Sequence, residues 1–221
     1  MAEVQRLRSE PEVSERPNYT QPMGSRASRY ATLSQISLFA FSALCVAMHP
    51  GLVLKWNEGG FSNYGIHIKT VIPYSLAFGL SAVFAFSAAG SLSKEDPSVR
   101  ALRHLLGAYG VLMVFTLAST YPYKLNTPLK DIHTALGIVT LLFEPISSAW
   151  MYTRLRGLKW SGLLLATALV GLILAVVDFA GILHILFLAQ VLTGVGFGFL
   201  LVRAVSSLST SKAPKAKSTP W

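Results

Sequence analysis

Charge is scarce in this 221-residue chain: 13% of its residues are Asp, Glu, Lys or Arg, about half the share usual in a soluble domain. So little charge beside 52% apolar residues excludes an ordinary soluble enzyme and a large extramembrane catalytic domain. Cysteine is scarcer still. Cys45 stands alone, which excludes an intramolecular disulfide framework and a paired-cysteine zinc motif. Neither His-Glu-x-x-His, a Walker sequence nor a dinucleotide-binding glycine pattern occurs, so ATP-driven or nicotinamide chemistry would need a partner chain. Acidic residues number ten against nineteen basic ones. The net charge of +9 does not point to nucleic acid, because the Lys and Arg fall between apolar stretches instead of gathering on one surface.

What the chain has in plenty is long apolar runs. Six stretches, 30–54, 71–92, 102–120, 132–152, 160–177 and 182–205, approach or exceed the roughly 20 residues that a helix needs to cross a bilayer. They are unbroken and rich in Leu, Ala and Gly, unlike the ten-residue alternating segments of a membrane barrel. The fold class is therefore all-α, a six-transmembrane-helix bundle whose first partner is the lipid bilayer. Residues 1–29 and 207–221 are expected to be disordered basic tails, with the six-helix domain at 30–206. Four residues, Asp178 to Gly181, join the last two spans, which makes these an antiparallel hairpin.

Orientation follows from the basic residues, which are retained on the cytoplasmic side. The two tails and the second and fourth loops hold fifteen Lys and Arg, and the other three loops hold Lys55, Lys69, Lys124 and Lys130. Both termini are predicted inside, in agreement with an even number of spans, and the expected location is the plasma membrane. Trp56, Tyr64, Tyr121, Tyr123 and Trp160 stand at span ends, where amphipathic rings sit at headgroup level.

Close packing of small residues holds helices together in lipid. In the second span Ser75, Gly79, Ala82 and Ala89 fall within about 40° of one direction, interrupted by Phe86. In the sixth, Gly194 and Gly198 have the G-x-x-x-G spacing. These faces serve packing within the bundle or a seam with a second copy or a membrane complex.

Ionisable groups at membrane depth are costly, so their positions carry information. His49, His67, Asp131, His133, Asp178 and His184 all fall toward the predicted outer side. If they converge, His67, His133 and His184 with Asp131 could hold a zinc-like ion; otherwise they are interfacial residues with wet tips. No cofactor is firmly implied. The fourth span is the most informative. His133, Thr140, Glu144 and Ser147 lie within about 40° of one direction, with Gly137 close by, and Glu144 sits roughly 16 Å deeper than His133. That stripe, with Asp178 and His184 at the turn between the last two spans, is the expected ligand or proton path; alternatively, a protonated Glu144 bonds a neighbouring helix. Pro145 frees the carbonyl of Leu141 and predicts a kink.

Ser119-Thr120-Tyr121-Pro122 followed by Asp131-Ile132-His133-Thr134-Ala135-Leu136-Gly137 resembles a family of uncharacterised six-helix integral membrane proteins, mostly bacterial. Phe61-Ser62-Asn63-Tyr64-Gly65 is similar to their short polar first outer loop. The resemblance implies the six-span architecture and a shared polar site on the outer face, and no reaction. Three functional expectations follow: a bundle binding a lipid, small ligand or ion in an outer-face pocket bounded by the fourth span; a metal-dependent membrane hydrolase of a lipid; or a structural or assembly subunit.

Overall fold

Backbone polar groups in hydrocarbon must pair within their own segment, and each apolar run does so by forming a helix. The computed structural model describes residues 23–55, 57–120, 128–155 and 158–210. Among them are six helices long and apolar enough to cross a membrane and no strand. These are α1 (Met23–Met48), α3 (Val71–Gly90), α4 (Pro97–Thr120), α5 (Pro128–Arg154), α6 (Ser161–Phe179) and α7 (Leu186–Thr210), with the short α2 (Gly51–Lys55) and a 3-10 segment (Asn57–Ile66) after the first. The chain is a multi-pass membrane protein. Tyr121, Tyr123, Pro122 and Trp56, named above, lie outside the described residues, as do 1–22 and 211–221.

Several boundaries differ from the expected ones. Helix α1 begins at Met23, so residues 23–29 of the expected tail are helical: no breaker follows Pro22, and Arg26 is exposed where the helix runs on past the apolar stretch. It ends at Met48 because Pro50 has no N–H to continue the ladder. Residues 207–210 of the other expected tail are helical too. The last hairpin turns over 180–185, Asp178 and Phe179 still belonging to α6.

Helices α1, α3, α4, α5 and α7 pack in a ring in that order, α7 closing it against α1, and α6 lies outside against α5 and α7. One end of the ring gathers the basic flanks. There Ser28 and Ser206 are hydrogen-bonded at 2.7 Å, Arg154 donates to Ser98, and Arg203 donates to the carbonyl of Lys159 at 2.5 Å. At the opposite end, here the histidine end, the 3-10 segment folds over the ring. Its Phe61 N–H donates to Gln190 Oε1 at 2.7 Å. Gly60 makes that approach possible: its φ is 59°, and a Cβ would stand 2.6 Å from the same Gln190 oxygen.

The expected packing faces are corrected. Ala82 and Ala89 are buried, but Ser75 and Gly79 are only half-buried, and a Cβ on Gly79 would meet nothing within 4 Å. The buried face of α3 carries Tyr74, Ala77, Ser81, Ala85 and Ala88, about a third of a turn away. Polar pairing selects it: Tyr74 bonds Thr120 at 3.1 Å and Ser81 bonds Ser34 at 3.0 Å. In α7, Gly198 stands against the Gln35 side chain of α1, while Gly194 meets only Phe39 at 4.0 Å. A closer backbone approach uses another glycine. A Cβ on Gly196 would lie 2.5 Å from the Leu164 carbonyl and 2.6 Å from the Ala168 nitrogen of α6.

Candidate ligand cavity

Inside the ring, toward the histidine end, lies a partly open cavity of about 470 Å³, within the range of small-molecule sites. Its wall is mostly apolar, with Leu38 and Phe39 from α1, Phe78 from α3, Met113 from α4, and Phe187 and Val191 from α7. Phe61 and Ser62 of the 3-10 segment form its cover. The polar stripe of α5 runs down one side: His133, Gly137, Thr140 and Glu144 all line it, because residues three and four apart share a helix face. Ser147, at the end of that stripe, is buried but is not part of the wall.

His133 holds the cover. Its Nδ1 is 2.9 Å from Ser119 Oγ of α4 and its Nε2 is 2.8 Å from Ser62 Oγ. The Ser119 hydroxyl also donates to the Thr116 carbonyl at 3.1 Å. One neutral tautomer satisfies all three bonds: Ser62 O–H donates to Nε2, Nδ1–H donates to Ser119, and Ser119 O–H donates to the carbonyl. The ring thus ties α4, α5 and the 3-10 segment together.

Glu144 is 7% exposed, and its carboxyl makes no hydrogen bond or ion pair among the described residues. Nearby donors are engaged elsewhere. Thr140 donates to the Leu136 carbonyl at 2.9 Å, and Ser148 donates to the backbone carbonyl of Glu144, not to its side chain. Beneath the cavity, Tyr109 Oη lies 3.3 Å from Ser81 Oγ and accepts from Gln35 Nε2 at 3.5 Å. Thr116 Oγ1, at the wall, is buried without a hydrogen-bond partner among the described residues. Phe197 packs against Tyr109 with ring centroids 5.1 Å apart and planes tilted by 48°, so an aromatic and polar layer underlies the site. Sequence reading missed this layer and the Gln190 latch; Gln35, a polar residue inside an apolar run, was the available signal.

The remaining expected residues stand elsewhere. Asp178 accepts the N–H groups of Ile185 at 2.7 Å and Leu186 at 3.0 Å, and so caps the start of α7 instead of lining a path. His184 and Asp131 are exposed, and His67 packs edge-on against His49 with centroids 4.5 Å apart. The expected metal set of His67, His133, His184 and Asp131 is therefore not assembled: among the described residues no three His, Cys, Asp or Glu groups are placed to hold a metal ion. The reason is helix phase, since Asp131 lies two residues before His133 and faces away from the cavity. No protein-family model, curated protein or solved structure matches this chain, so the resemblance to uncharacterised six-helix proteins is carried no further.

Proposed function

We propose that this multi-pass protein binds a small lipophilic molecule in the cavity between α1, α4, α5 and α7, with the cavity facing the outside of the plasma membrane and both termini in the cytoplasm. The observation that carries the reading is the unpaired carboxyl of Glu144 in a mostly apolar cavity of about 470 Å³. A buried polar group without a partner is costly, and a bound ligand supplies the missing partner. The charge distribution supports the orientation, since the basic flanks gather at the end away from the cavity.

Gly194 provides the test. It is buried at the cavity wall and a Cβ there meets nothing closer than 4.0 Å, so Gly194→Leu fills the cavity without displacing backbone. Mass spectrometry of gently purified protein is expected to show a co-purifying small molecule that Gly194→Leu loses while its helix content is kept. Equal small-molecule content in the two proteins would sink the binding reading. A second reading, proton movement, is favoured by the Tyr109, Ser81 and Gln35 layer below Glu144. It predicts proton flux in vesicles that Tyr109→Phe abolishes.

A further inference from the structure

We propose, resting on the binding reading, that the ligand is a lipophilic amine: an ammonium group paired with Glu144, on an apolar body that occupies the rest of the cavity. The wall has one acidic group and no Lys or Arg. A carboxylate left alone in such a place costs several kcal/mol, and an incoming cation removes that cost. An acid or phosphate would add a second negative charge beside the first. A neutral alcohol offers a single donor, whereas an ammonium offers three donors and no acceptor.

That pattern is what the cavity lacks. The Glu144 carboxyl, which lines the wall and has no hydrogen bond among the described residues, can accept from those donors. Thr140, one turn away on the same helix, bonds its own backbone instead of the carboxyl. Above it, Leu38, Phe39, Met113 and Phe187 suit a hydrocarbon body reaching toward the 3-10 cover.

The test uses full-length protein in phosphatidylcholine nanodiscs, a zwitterionic surface that does not itself favour amines. A diazirine-bearing decylamine is photo-crosslinked, the labelled peptides are mapped, and decylamine, decanol and decanoic acid compete. The expected result is labelling of cavity-lining peptides of α1, α5 or α7, with decylamine competing about thirtyfold better than decanol, the scale of a buried charge pair. Glu144→Asp keeps that preference, and Glu144→Gln loses it while a diazirine-bearing decanol still labels the same peptides. Equal competition by decylamine and decanol in the parent, or stronger competition by decanoic acid, overturns the amine assignment and leaves cavity binding intact. Absence of labelling at the cavity by both probes overturns the binding reading as well. The parent protein alone decides the ligand class, so a poorly folding Glu144→Gln leaves the test standing.

Discussion

At the scale of residues, a glycine matters only where another backbone needs the room. Gly79 and Gly196 both sit in spanning helices, but only Gly196 faces backbone, 2.5 Å from the Leu164 carbonyl for an added Cβ. Gly196→Ala is therefore expected to destabilise the α6–α7 pair by about 1–3 kcal/mol, the usual cost of overpacking. Gly79→Ala is expected to stay within about 1 kcal/mol of the parent. Unfolding in mixed detergent micelles measures both, and a larger loss at Gly79 would contradict the packing described. The same scale shows what could be read beforehand. The alignment of His133, Thr140 and Glu144 was legible because a fixed 100° rotation per residue places them on one side of one helix. The phase of α3 was not legible. Small residues mark where helices can approach, whereas the face chosen depends on partners such as Thr120 and Ser34, which belong to other helices.

At the scale of elements, the cover over the cavity is tied down by few bonds. His133 links the 3-10 segment to α4 through Ser62 and Ser119, and Gln190 links it to α7 through the Phe61 N–H. His133→Ala removes the first tie and leaves the Ser62 hydroxyl without its acceptor, a loss of about 1–2 kcal/mol. Amide hydrogen exchange across 57–66 should then quicken roughly tenfold, with α6 and α7 unchanged below Asp178. Unaltered exchange in that segment would show that the His133 tie does not hold the cover. This element escaped sequence reading because Asn57–Ile66 has neither helical nor strand periodicity and carries Gly59, Gly60 and Gly65. Its order comes from side chains of α5 and α7 more than 60 positions away. Asp178 escaped for a related reason: an acidic residue at a hairpin can serve a path or cap a helix, and only the N–H groups of Ile185 and Leu186 decide between them.

At the scale of the whole molecule, two asymmetries coincide: the basic flanks occupy one end of the bundle and the cavity lies toward the other. The number and apolar character of the spans were legible in the sequence, since a bilayer fixes both length and composition. That α6 stands outside the ring was not read from the sequence, although its mean hydropathy of 2.4, the highest of the six spans, was a signal for it. The proposed orientation places Lys94, between α3 and α4, in the cytoplasm and Lys69, beside the 3-10 segment, outside. Both are exposed, and Cys45, the one native thiol, is fully buried, so a single introduced cysteine reports its own side against a low background. A membrane-impermeant maleimide is expected to label Lys69→Cys on intact cells, and Lys94→Cys only after permeabilisation. The reverse pattern would place the cavity on the cytoplasmic face, and a ligand would then reach Glu144 from the inner side of the membrane.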